Sequence, residues 1–268
     1  MRTSRIIAAV ILTLVGVLSM GADLFSPYDY AVQFREHANE PPSGTFPLGT
    51  DDLGRDRLSR LLHGSRVSLL CAPAAALVSV GIATLIGLFS GHYGGWVDKT
   101  ATAATDLFLS LPWLFALLTV RALLPLHVSP WGSVAVTFLM LAVVGWASVA
   151  RVVRATVAGM RGSGSILHAR SSGCRTWRVM CFQMVPMLRP ILSAQFWILV
   201  PVFLLAESNL GVLGLGVTEP LPSWGGMLAE LQNYHRIPES PWILAPAALL
   251  VLVVASLHFI VSGDRRWE

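Results

Sequence analysis

The 268-residue chain is 54% hydrophobic and only 13% charged, with a mean hydropathy of +0.64. Soluble domains carry about 25% charged residues, so this balance excludes an ordinary soluble protein. The formal charge of +4 comes from arginine, Lys99 being the sole lysine. The basic residues sit in short segments between apolar runs, which points to membrane orientation and not to nucleic acid.

Met1 to Phe25 places Arg2 and Arg5 before an apolar run from Ile6 to Met20 and a small pair, Gly21-Ala22. It reads as a first membrane span or as a cleaved signal peptide, and either reading leaves the N-terminus inside. Ser26 to Leu62 is the longest polar stretch and ends in FPLGTDDLGRDRLSRLLHGSRVSL. Thr50 is the expected N-cap there, Leu58, Leu61 and Leu62 form a narrow apolar stripe, and Asp56 and Arg60 make an i, i+4 pair. A short amphipathic helix on the outer membrane surface is one reading, and a solvated linker entering the next span is the other.

Five further spans are expected, at about residues 67–89, 101–124, 133–153, 191–213 and 242–261. The chain thus divides into 1–66 (first span and outer segment), 67–262 (a five-helix core) and a short cytoplasmic tail, 263–268. With the N-terminus inside, the inner segments carry twelve of the 19 Lys and Arg residues, which gives an N-in, C-in, all-α polytopic protein with six transmembrane helices.

Orientation places Arg161 to Pro190 in the cytoplasm. This loop has five arginines and no acid. Ser165 is an expected N-cap and Gly173 a break between two short helices. Trp177, Met180, Cys181, Met184 and Leu188 recur at helical spacing as one apolar face. Such a loop fits a surface that couples to a partner, or an arginine belt at anionic lipid headgroups.

No phosphate-binding loop, metalloprotease motif or nucleophile elbow is present, and the histidines and the three cysteines form no ligand pattern, so no catalytic residues and no metal are expected. Asp106 and Glu207 are acids within spans, read either as paired structural groups or as parts of a translocation path. Gly211 to Trp242 is an outer loop with four prolines before its final Trp. Its Trp224 suits an interfacial belt, and the loop reads as an anchored connection or as a docking surface.

The segment FPLGTDDLGRDRLSRLLHGSRVSL resembles the signature of the peptide/nickel permease family, the membrane subunits of binding-protein-dependent ABC importers. GHYGGWVDK, LSLPWLFAL and LGVLGLGVTEPLPSWGGML agree in order along the chain. The resemblance implies a type I ABC importer permease fold and half of a translocation path for peptides or a related small solute, nickel chelates included. It implies a bacterial inner-membrane location and a heterodimer with a second permease. Two cytoplasmic ATPases would supply ATP and Mg chemistry, and a substrate-binding protein would dock outside. This chain would itself bind no cofactor and no nucleic acid, and would contact membrane lipid.

In that family the loop is a helix–turn–helix that seats on the ATPase. Leu167, His168 and Ala169 take its E-A-A position, Gly173 its glycine and Val185-Pro186 its L-P. Ser165, Arg170, Arg175, Trp177 and Arg178 complete the expected coupling loop, in which the family's glutamate is replaced by Leu167. Asp51, Arg55, Asp56 and Trp224 are the expected outer docking residues. A degenerate, non-transporting subunit and an ion-driven transporter are the rival classes.

Overall fold

A computed structural model describes residues 2–123, 129–233, 235, 237–238 and 240–262. Its helices are α1 (Arg2–Met20), α2 (Ala22–Phe25), α3 (Arg57–Tyr93), α4 (Gly95–Ser110), α5 (Trp113–Leu123), α6 (Pro130–Met160), α7 (Gly164–Ser171), α8 (Thr176–Val179), α9 (Val185–Val212), α10 (Trp224–Leu228) and α11 (Ala245–Ser262). Among the described residues there is no β-strand, only an isolated bridge between Thr50 and Asp56.

Among the described residues five helices are long and apolar enough to cross a membrane, and the bent pair α4–α5 makes a sixth if counted as one broken span. The break corrects the expected continuous third span. Leu111 is extended ahead of Pro112, and the two helices meet at 83°. The residue before a proline is disfavoured in the helical region, so the helix ends where the apolar run does not.

The second span is also longer than its apolar run. α3 covers 37 residues as one helix and absorbs the end of the segment read as a surface helix or as a solvated linker. Thr50 does not cap it. Asp56 does, its Oδ2 accepting from the Ser59 amide (2.7 Å) and the Ser59 hydroxyl (2.6 Å). Thr50 is occupied instead with the loop, donating to the His37 carbonyl and accepting from the Glu40 amide. Leu61 is buried, but so are Arg57, Ser59, Arg60 and Ser65, so no solvent-facing side remains for an amphipathic surface helix. The tail 263–268 lies outside the described residues.

The chain forms two compact units. The first comprises Met1–Pro73, Val120–Leu139 and Pro201–Glu268; the second comprises Ala74–Thr119 and Met140–Val200. In the first unit α1 lies along α11. Asp23 in α2 binds Arg66 (2.8 Å) and His63 (3.1 Å) of α3, which hold its carboxyl below the ordinary value of 3.8.

In the second unit α3 and α6 approach closely at Gly87 and Gly91. A Cβ on Gly91 would lie 2.6 Å from Val157 Cβ and 2.9 Å from the Arg154 carbonyl, and Gly87 faces Val153 in the same way. Small residues four apart let two membrane helices pack backbone to side chain, where dispersion contacts replace a hydrophobic driving force. Along α6, Arg154 pairs with Asp98 and Arg151 with Asp106 (2.5 Å), both from α4.

Candidate functional site

Two groups of residues stand out, one in each unit. In the second unit, loop 161–190 opens with α7, whose N-cap position is Ser163 and not Ser165; no side-chain cap bond forms there. α7 ends in a Schellman motif. Gly173 takes φ +74°, its N–H donates to the Arg170 carbonyl (3.0 Å), and the Cys174 N–H donates to the Ala169 carbonyl (3.1 Å). The break expected at Gly173 is therefore formed, and its geometry explains the residue, since a positive φ favours glycine.

The second half of the loop departs from expectation. α8, a π turn over Met180–Met184 and α9 form one continuous helix from Thr176 to Val212, so this part of the loop is the start of the fifth span. Pro186 sits inside that helix and does not end it. A proline has no N–H to donate and its ring crowds the carbonyl four residues back, and the wide turn just before it lets the helix run on.

The π turn also changes which side faces inward. Val179, Met180, Met184 and Leu188 are buried, whereas Trp177 is 53% exposed and Cys181 is exposed too, contrary to the expected stripe. Trp177 packs edge-on against Phe182 (centroids 5.9 Å apart), and the Arg178 guanidinium lies 6.0 Å from its ring. Phe182 is 67% exposed and Leu167 52%, while Ile166 and Ala169 of α7 are buried. Cys174, Arg178, Val179, Phe182 and Gln183 line a shallow pocket of about 360 Å³. The loop thus shows an aromatic, cationic and apolar surface on a buried base.

In the first unit the signature segment is clamped by Glu219. Arg55 binds Glu219 (2.5 Å) and Asp51 (2.6 Å), and Arg60 binds Glu219 (2.7 Å) while lying 3.6 Å from Asp51. Burial works against the Arg55 charge, but Glu219 and Asp51 outweigh it and hold the guanidinium above its ordinary value. Arg57 reaches Glu230 at 2.6 Å, and burial pushes that carboxyl up against the pull of Arg57.

These contacts correct two expectations. The Asp56–Arg60 pair does not form, because each side chain has a better partner. Asp51, Arg55, Asp56 and Trp224 are also interior, at 2, 8, 0 and 0% exposure, so they set the shape of the surface without lying on it.

The two intramembrane acids part ways. Asp106 is an exposed partner of Arg151. Glu207 is wholly buried, 3.3 Å from the Gly225 amide through both oxygens and 3.4 Å from Ser68 Oγ. Trp224 beside it donates from its amide to Ser68 Oγ (3.3 Å) and from Nε1 to Ser65 Oγ (2.8 Å). Glu207 therefore ties α10 to α3 and α9, and its hydrogen bonding is taken up by the protein. Among the described residues no group of three or more His, Cys, Asp or Glu side chains is placed to hold a metal ion.

Sequence reasoning missed Glu219, which has no local partner, and the Gly87/Gly91 seam, whose four-residue spacing was a readable signal.

Long apolar helices, a broken third span and a positively charged, structured loop define a polytopic helical membrane protein. Residues 83–265, more than half the chain, match the family described as binding-protein-dependent transport system inner membrane component, and the chain belongs to that family. It is a multi-pass protein of the bacterial inner membrane. It is 28% identical over 260 residues to the oligopeptide transport system permease protein OppC of Bacillus subtilis, covering 97% of this chain and 83% of that one. It is 32% identical over 248 residues to the di/tripeptide transport system permease protein DppC of Pseudomonas aeruginosa, covering 90% and 79%. A dipeptide transport system permease protein DppC of B. subtilis is 31% identical over 255 residues, covering 94% and 77%.

Proposed function

We propose that this chain is one permease of an ATP-driven importer of di- or oligopeptides. It pairs with a second permease, and two ATPase subunits that hold ATP and Mg seat on loop 161–190. A substrate-binding protein docks outside the cell membrane, against the surface shaped by Asp51, Arg55, Asp56, Glu219 and Trp224. The chain lies N-in and C-in, with its flanking arginines at lipid headgroups.

The observation that carries this reading is the loop itself. It exposes Leu167 on α7 and Trp177 and Phe182 on the first turns of the fifth span's helix, while Ile166, Ala169, Met180 and Met184 fix it from below. Large exposed apolar side chains beside arginine are what a protein partner covers. Leu167, standing where the family has glutamate, offers that partner apolar area in place of a charge. Within the coupling loop, Leu167, His168, Arg175, Trp177 and Arg178 would meet the ATPase, and Ala169, Arg170 and Gly173 hold the loop in shape. Ser165, whose hydroxyl lies 3.4 Å from that of Ser163, and Pro186, inside the helix of the fifth span, complete the coupling loop.

The test is Gly173→Pro. Proline has no N–H for the Arg170 carbonyl and cannot take φ +74°. The expected result is normal insertion with loss of ATPase co-purification. A variant that still retains the ATPase and transports at the wild-type rate refutes the assignment.

A further inference from the structure

A helix end leaves carbonyls without intrahelical donors. At the end of α3 one of these, Ser90, is met by the amide of Gly94, which turns the chain at φ +67°. Arg161, at the entrance of loop 161–190, supplies more. Its Nε donates to the Gly91 carbonyl and its Nη2 lies 3.3 Å from the Ser90 carbonyl. A cation there also answers the negative end of the helix dipole. A Cβ on Gly94 would stand 2.7 Å from Arg161 Nη1, so the glycine keeps the guanidinium's place open.

The next residue of α3, His92, is 7% exposed and meets Arg170 of α7, whose Nη2 lies 3.4 and 3.3 Å from the two ring nitrogens. One turn of α3, residues 90–92, is thus held at two points of the loop nine positions apart. A single contact lets α7 pivot without moving α3; two contacts pass on rotation as well as displacement. Behind them, the Gly87/Gly91 seam leaves α6 little room to slide independently.

We propose that Arg161 and Arg170 are the residues through which movement of the loop is handed to α3, with His92 as the acceptor for Arg170. They are positioning residues, distinct from the exposed Leu167 and Trp177 that would meet the ATPase. The inference rests on the loop being the ATPase seat, and it names the path that motion takes onward.

The experiment is hydrogen exchange on the complete importer in lipid nanodiscs, with and without ATP, followed separately in residues 164–175 and 86–93. In the wild type both segments are expected to change on adding ATP. In Arg170→Ala, Arg161→Ala and His92→Leu the change in 164–175 should persist, while that in 86–93 falls roughly tenfold, the size expected for losing a hydrogen bond to a charged group. His92→Gln, which keeps an acceptor, should restore much of it, and combining Arg170→Ala with His92→Leu should add nothing to either alone. An undiminished response at 86–93 in all three variants overturns the tether. A loss in both segments also overturns it, because Arg170 and Arg161 would then act in binding the ATPase. If the wild-type loop does not respond to ATP at all, the ATPase seat itself is refuted, a result separate from either.

Discussion

Replacing Glu219 by Gln removes a single charge that two buried arginines share. The side chains of Arg60, Arg55 and Asp51 are 2, 9 and 2% exposed, so without Glu219 two guanidinium groups must be balanced by Asp51 alone. Breaking a fully buried pair costs about 3–5 kcal/mol, whereas an exposed pair is worth about 0–1. Glu219 lies between these limits, because its own side chain is 55% exposed and water can partly replace it. Gln also keeps one acceptor oxygen, so the expected loss is about 2 kcal/mol. For a chain of this size that lowers Tm by roughly 4–6 °C. Thermal unfolding in detergent, followed by the fluorescence of the nine tryptophans, reads it. Glu40→Gln is the control, since its pair with His37 is exposed on both sides, at 40 and 49%. A Glu219→Gln variant that melts no lower than the control, within about 1 °C, refutes the claim that these arginines depend on Glu219.

Three further outcomes are expected. Gly225→Ala would put a Cβ 2.6 Å from both the Glu207 carbonyl and Glu207 Oε1, and should cost about 1–3 kcal/mol by overpacking; chemical unfolding that matches the wild type would refute the close approach. Gly91→Ala should destabilise in the same way, and Val157→Ala introduced beside it should recover part of the loss, which thermal melts of the double variant will show. Asp23 has its carboxyl lowered from 3.8 by Arg66 and His63, so its contribution is present above pH 3.8 and lost as pH falls through the lowered value. Arg66→Leu should move that titration back toward 3.8, as read by infrared titration of the carboxyl band, and an unmoved titration would show that Arg66 is not the cause.

The spans were legible because apolar runs of about 20 residues have few other uses. Their ends were not. Arg57 to Arg66 looks like surface, yet its charges are met by Glu219, Glu230 and Asp23, partners far off in sequence that no local pattern announces. The turn at Gly173 was readable because a glycine after a helix is a local signal. The cap at Asp56 was missed for Thr50 because both residue types cap, and only the course of the backbone chooses between them. The inward face of the second loop helix departs from the 3.6-residue stripe at Trp177 and Cys181 because the stretch contains a π turn, which no residue type announces.

That π turn has a consequence of its own. A wide turn holds one residue more than an α turn, and an α-helix advances about 100° per residue. Deleting a residue within Met180–Met184 would leave the span from Val185 onward in phase. The turn would close to an ordinary α turn, so Trp177 and Arg178 before it would keep their facing as well. A residue lost from the regular helix on either side would instead turn one flank by about 100° against the other, so Met180–Met184 is the one place in the root of the fifth span where a change of length is absorbed.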